Sequence, residues 1–399
     1  MKWSSTVSLE KNPENSVREC INTIRSELEG IQTDFVSLFV SPHFQKDYRM
    51  IQEMVLDRLE PKVLLGCSAN GIIGGGKEVE NRPAISLSCA QMPGVQMRSF
   101  RVMDDEIPDL DASPKNWEKL LGIDRTNQPQ FVLIADPFSI RIENFVSGLD
   151  YAYPNSVKIG GLASGAQSPG GNALYIDGEL QSSGLVGVGL WGNIRLDSLL
   201  AQGCHPIGTK LQVSACEENL LLGLDGQPPL VVLESIFDSL SPRDQDLVQH
   251  SLFLGFVGDA AKENLGPGDF LIRNILAADP KKGSLVIGNL LRVGQTVQFH
   301  LRDAQTSHDD LEEVLSNYTS QSSALVRKDP SSVGVLLFSC LGRGSFLYKV
   351  PNHDTDLFQK FVGQYPVSGF FCNGEVGPVG STTYVHGYTS CFGLFSAKS

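Results

Sequence analysis

The chain has 399 residues, 41% of them hydrophobic, with 40 glycines and a net charge of −13. Such a length allows two domains with real cores, and the acidic balance excludes the basic patch that nucleic-acid binding requires. The longest apolar runs, 131–135 and 333–338, fall far short of the ~20 residues that span a bilayer, and the stretch Met1 to Ser16 has no apolar signal-peptide core. A cytoplasmic protein with neither nucleic acid nor membrane as partner is expected. The eight cysteines contain no Cys-x-x-Cys pair, and the seven histidines form no His-Glu-x-x-His pattern, so no metal and no cofactor are expected.

In chain order, the first element is an amphipathic helix. Val17, Cys20, Ile21, Ile24 and Leu28 fall on one face, and Gly30 supplies its stop. From Phe35 onward one phrase occurs three times: apolar strand, amphipathic helix, apolar strand, glycine-rich loop, further strand. The first copy has a strand at 35–40, a helix from about Gln45 to Leu59, a strand into the loop Gly66–Gly71, and a strand at 84–89. The second has a strand at 131–135, a helix carrying Ile142, Phe145, Val146 and Leu149, the loop Gly161–Gly165 and a strand at 184–190. A boundary between halves falls near Leu196 to Thr209, where a new strand-rich segment begins. A capped helix starts near Ser307, with Leu311, Val314, Leu315 and Tyr318 on one face. The third copy follows: a strand at 334–340, a helix with Leu357, Phe358, Phe361 and Val362, the loop Gly369–Gly374, and strands between 382 and 395.

Apolar helix positions three and four apart, alternating with short apolar strands, predict helices packed on sheet. Parallel pairs joined by crossovers and then antiparallel hairpins predict mixed sheets. The fold class is therefore α/β, mixed α+β, in two related lobes, 1–200 and 201–399.

Two apparent nucleotide motifs fail on chemistry. Gly71 to Lys77 matches the start of a P-loop, but Glu78 replaces the hydroxyl residue that meets magnesium, and Pro83 interrupts the helix that should follow. Gly187-Val188-Gly189-Leu190-Trp191-Gly192 lies along a strand instead of opening a helix.

The glycine loops remain. They expose backbone N–H groups and leave room for a ligand, or they simply turn the chain tightly; Ser68 and Asn70 in the first loop are candidate contacts. The third unit is chemically richest. Ser339, Cys340 and Arg343 end its first strand, and Cys372, Asn373, Gly374 and Glu375 end its second. Arg343 holding a carboxylate and Glu375 holding an ammonium would suit a zwitterion; alternatively the two pair with each other. Ile72 and Ala166 stand where Glu375 stands in the other copies, so this chemistry belongs to one unit. Cys340 or Cys372 as a nucleophile is a further alternative, since Arg343 lies near enough in sequence to lower a thiol pKa.

These stretches resemble the FIST family, a sensory module with N- and C-terminal halves found in bacterial signalling proteins and certain eukaryotic F-box proteins. The N half rests on Val63 to Gly71 and Gly160 to Leu190. The C half rests on Asp269 to Asn274, Val293 to Phe299, Phe338 to Gly344 and Gly369 to Pro378. The resemblance implies a FIST N-like domain over 1–200 and a FIST C-like domain over 201–399. It also implies a small-ligand-binding sensory role in signal transduction, with an amino acid or similar metabolite as ligand, or else a protein-interaction scaffold. FIST-like sequence begins almost at the N-terminus, leaving no room for an F-box, kinase, cyclase or receptor segment, so the output is expected to pass through a separate signalling partner.

Overall fold

The computed structural model describes residues 1–29, 32–109, 111–258, 269–321 and 329–398. The helix stop assigned to Gly30 lies outside the described residues.

The first repeat comprises β1 (Lys2–Ser8), α1 (Pro13–Glu27), β2 (Phe35–Val40), α2 (Tyr48–Leu59), β3 (Val63–Ser68), the hairpin β4 (Gly71–Gly74) and β5 (Lys77–Glu80), and β6 (Ile85–Gln91). The second has the same order: β7 (Val95–Val102), α3 (Pro114–Leu121), β8 (Gln130–Ala135), α4 (Ile142–Ala152), β9 (Lys158–Leu162), β10 (Leu174–Ile176), β11 (Glu179–Gln181) and β12 (Leu185–Gly192). The third opens with β13 (Arg195–Ala201) and is then interrupted. The interruption contains β14 (His205–Glu217), β15 (Leu220–Leu224), α5 (Pro229–Phe237), α6 (Pro242–Val248), β16 (Leu252–Val257), β17 (Phe270–Asp279), β18 (Ser284–Ile287) and β19 (Thr296–Leu301). The repeat resumes with α7 (Ala304–Gln321), β20 (Gly334–Cys340), α8 (Gly344–Tyr348), α9 (His353–Phe361), β21 (Val367–Cys372), β22 (Glu375–Val379), β23 (Thr382–His386) and β24 (Ser390–Ser396). Among the described residues no helix is long and apolar enough to cross a membrane.

The fold is mixed α+β. One compact unit consists of Met1–Leu200, Glu312–Pro378 and Thr383–Ser399; the other consists of Ala201–Leu311 and Val379–Thr382. They are not two related lobes. The first holds all three repeats as three six-stranded sheets, whereas the second holds a closed barrel ordered β14-β15-β18-β17-β16-β19. The third repeat, placed by sequence in a second lobe, therefore belongs to the first unit, with the barrel inserted after its opening strand. The helix expected from Ser307 starts earlier, at Ala304, because Asp303 Oδ1 accepts the Thr306 N–H at 2.8 Å. At α1 the same device is Asn12, whose side chain accepts the Asn15 N–H ahead of Pro13.

The three sheets share one plan. Parallel pairs β2–β3, β8–β9 and β20–β21 form their centres, flanked on one side by antiparallel β6, β12 and β24. On the other side each is completed by a hairpin from a different repeat: β10 pairs with β3, β22 with β9, and β4 with β21.

Alternation along the strands explains the continuous apolar runs. Phe35 and Phe39 of β2 enter an inner cluster with Cys67, Val132, Phe338 and Phe370, drawn from all three sheets. Val36, Leu38 and Val40 face outward to Val17, Ile51 and Val55 of α1 and α2. In the second repeat Val132 and Ile134 point inward while Phe131 and Leu133 meet Trp117 and Phe145 of α3 and α4.

Glycine is required at one equivalent place in each parallel pair. A Cβ on Gly66, Gly160 or Gly369 would lie 1.8, 1.9 or 1.8 Å from the carbonyl oxygen of Leu38, Leu133 or Leu337. Gly66→Ala and Gly160→Ala should each destabilise the chain by about 2 kcal/mol or more, the cost of overpacking. Gly178→Ala, with nothing within 4 Å of its added Cβ, should leave the urea midpoint near wild type. Equal midpoints for all three variants would refute the close approach.

Candidate functional site

The C-terminal ends of the three parallel pairs turn alike. The N–H groups of Ser41, Asp136 and Cys340 donate to the carbonyls of Ala84, Gly184 and Thr389 at 3.0, 2.9 and 2.9 Å. Further on, the N–H groups of Phe44, Ser139 and Arg343 donate back to the carbonyls of Ser41, Asp136 and Cys340. Equivalent backbone thus carries an arginine only in the third repeat. The hairpins tell the same story: Ile73, Tyr175 and Val376 lie opposite Gly369, Gly66 and Gly160, so Ile72 and Leu174 are the counterparts of Glu375. Ala166, equated with Glu375 from loop spacing, sits instead in the longer loop that precedes Leu174.

The three glycine loops meet. Asn70 N–H donates to Ser164 Oγ at 3.1 Å, and that hydroxyl donates to the Phe371 carbonyl at 2.5 Å. Leu162 N–H donates to the Gly374 carbonyl at 2.8 Å, and Asn373 answers with its own N–H to Leu162 and its Nδ2 to Ala163. Gly165 N–H reaches the Ser68 carbonyl at 3.2 Å. Ser68 Oγ accepts the Ala173 N–H at 2.9 Å, which ties down the long second loop.

Arg343 is fully buried at the end of β20. Its Nε and Nη2 form a fork onto the two oxygens of Asp354, in the first turn of α9, at 2.8 and 2.9 Å. Ser339 and Ser390 also donate to Asp354 Oδ2. His353 Nδ1 lies 3.3 Å from Oδ1, and its ring stacks on Tyr348 with centroids 3.4 Å apart. Burial alone would raise the Asp354 carboxyl, but the Arg343 charge and these hydrogen bonds outweigh it and hold the group well below the usual carboxylate range. Glu375, also fully buried, has another partner: its Oε2 accepts Thr389 N–H at 3.1 Å and Thr389 Oγ1–H at 2.7 Å.

The two candidate thiols differ. Cys372 is buried, and desolvation, then the charge of Glu375, pushes its pKa well above the ordinary value, the opposite of activation. Cys340 is half-buried, with Sγ accepting the Gly342 N–H at 3.4 Å.

A cavity of about 210 Å³ opens where the first loop meets the third repeat, lined by Asn70, Gly71, Glu80, Asn81, Leu341, Phe346 and Phe371. Gly71 is needed beside it, since a Cβ there would lie 2.4 Å from the Phe371 ring. Of the residues singled out from sequence only Asn70 lines it. Ser339 and Arg343 gather around Asp354, while Cys372, Asn373, Gly374 and Glu375 lie where the third repeat's hairpin meets β9.

Sequence reasoning gives no structural role to two acids on β5, Glu78 and Glu80, although Glu78-Val79-Glu80 alternates with period 2. Glu80 Oε1 accepts the backbone and hydroxyl hydrogens of Ser345 at 2.8 and 2.9 Å, and Glu78 Oε1 accepts the Thr355 N–H at 2.8 Å. One strand of the first repeat thus grips α8 and α9 of the third. Burial, then the neighbouring Asp354 charge, pushes the Glu78 carboxyl up to about 8 from its ordinary 4.5, although the Thr355 N–H favours the ionised form.

A raised carboxyl pKa stabilises the fold fully below 4.5, and that contribution is lost as pH rises through 8. Wild type should therefore lose on the order of a few kcal/mol relative to Glu78→Gln between pH 5 and pH 9. Parallel stability curves for the two proteins, from urea unfolding at stepped pH, would contradict this.

The FIST N domain profile matches residues 34–227 and the FIST C domain profile residues 229–378. An uncharacterized protein of Mycobacterium tuberculosis is 35% identical over 337 residues, 84% of each chain. Another, of Mycobacterium bovis, is 32% identical over 380 residues, 94% of each chain. The crystal structure of a cyanuric acid hydrolase from A. caulinodans covers 100% of both chains at a TM-score of 0.40 and 7% identity, a likeness too slight to argue from.

Proposed function

The chain belongs to the FIST family, whose domains are small-ligand sensory modules of signalling, and on that premise we propose that it is a cytoplasmic sensor of a small metabolite, an amino acid or close analogue. The observation that carries this reading is the cavity at Asn70, built where the first glycine loop meets the third repeat. Its walls come from elements of two repeats. Phe371 is the next-to-last residue of β21, Leu341 and Phe346 lie on either side of Arg343 in sequence, and Glu80 ends β5 with Asn81 directly after it.

A ligand in this place touches both the first repeat and α8 of the third. Binding therefore tightens the junction between them, and the output passes to a separate signalling protein that recognises the tightened surface. The buried fork of Arg343 acts in this scheme as a support for the segment carrying Phe346, with Ser339 and Ser390 as its props.

A thermal-shift screen of metabolites that includes the proteinogenic amino acids tests the reading. A ligand at 100 times its dissociation constant adds about 2.7 kcal/mol of stability and a corresponding rise in Tm. Asn70→Trp, which fills the cavity from an exposed position, should abolish the shift given by every genuine hit. A screen without hits, or hits that survive Asn70→Trp, overturns the assignment.

A further inference from the structure

The cavity carries charge of one sign only. Glu80 is the single ionisable side chain in its lining. Both hydrogen bonds to Glu80 end on Oε1, and Oε2 has no partner among the described residues. The side-chain amides of Asn70 and Asn81 line the same space and likewise have no hydrogen-bond partner among the described residues. The remaining walls are Gly71, Leu341 and the rings of Phe346 and Phe371. Three cations lie close in sequence but outside the lining: Arg343 is taken up by the fork onto Asp354, Arg82 beside Asn81 is exposed, and Lys349 Nζ donates to the Phe346 carbonyl and lies 5.2 Å from the centroid of that ring.

A carboxylate oxygen and two amide oxygens are three acceptors, and a primary ammonium offers three donors. A charge-assisted bond to a carboxylate is roughly twice as strong as a neutral one, and the Phe371 ring adds attraction for a cation. An anionic group would meet Glu80 with no cation in the lining to compensate. The net charge of −13 raises the local concentration of cations at the mouth of any such site.

We propose that this cavity selects its ligand through a primary ammonium group, held by Glu80 together with Asn70 and Asn81, and that a carboxylate on the ligand is not required. The inference rests on the cavity being the ligand site. It goes further in assigning recognition to the amine end, so that simple alkylamines bind and the matching carboxylic acids do not.

The test is calorimetric titration of the full chain with alkylamines from ethylamine to butylamine and, at the same ionic strength, with acetate and butyrate. The amines should bind and the acids give no heat. Glu80→Gln, whose amide oxygen still accepts from Ser345, should weaken amine binding about tenfold or more. Phe346→Ala, at a side chain 73% exposed, removes a wall without touching the core and should weaken it severalfold.

Acid binding equal to amine binding, no amine binding at all, or amine affinities unchanged in both variants overturns the proposal. If screening hits are then still blocked by Asn70→Trp but indifferent to Glu80→Gln, the cavity remains the ligand site and only the ammonium assignment falls. If no hit is blocked by Asn70→Trp, both fall together.

Discussion

The constraint on which the three-repeat unit depends is the exchange of hairpins. Strands β3, β9 and β21 are buried on both faces, yet none is completed by its own repeat. Each has its outer edge covered by a hairpin from another, through the pairs β10–β3, β22–β9 and β4–β21. A single repeat would leave an apolar edge strand unpaired and an inner face without its partners, since the inner cluster draws on all three sheets. The interior also tolerates little: a Cβ on Gly161 would lie 2.3 Å from Cys372 Sγ, and one on Gly393 2.0 Å from Ile159 Cδ1. Closure of the ring is thus cooperative, because each contact across it presupposes the others.

The candidate site is a product of that exchange. When β4 joins β21, the adjoining β5 arrives with Val79 turned into the inner cluster and Glu78 and Glu80 toward two helix starts, where their oxygens accept from exposed N–H groups. Two buried acids, Glu78 and Asp354, then lie near each other, and one of them is forked by the buried Arg343. Arg343 favours the acid it forks, so Asp354 keeps its charge and Glu78 keeps its proton. The split follows from geometry alone: a bidentate pair outweighs desolvation for one carboxyl, while a single backbone N–H does not for the other.

Much of the architecture is legible in the residues because the apolar runs and their helical counterparts are long and strongly periodic. The strands at 35–40, 131–135 and 334–340 and the helix faces of Val17 to Leu28 and Ile142 to Leu149 read directly. The hairpins do not announce their destination, since three to five residues of strand carry no label for the sheet they join. Lys2–Ser8 does not read as a strand because its middle is serine and threonine, with only Trp3 buried as a large side chain. Nothing between Ala304 and Gln321 marks a return to the first unit. Arg343 stands out in sequence as a charge at a strand end, but Asp354 looks like any acid in a first helical turn, and its pairing with Arg343 depends on how α9 lies against β20. Glu80 is harder still, because its role depends on a strand from one repeat meeting a helix of another.

The exchanged hairpins also set an order of events during synthesis. Asn373 reaches Ala163 across 210 residues of sequence, and the whole barrel emerges between them. At roughly 5–20 residues per second, strand β9 waits ten seconds or more for β22. The first two repeats therefore leave the ribosome with the outer edge of β9 uncovered, and β22 must arrive before the exchange of hairpins is complete. Production of this protein is exposed to premature termination and to edge-to-edge association in a way that a chain of self-contained domains is not.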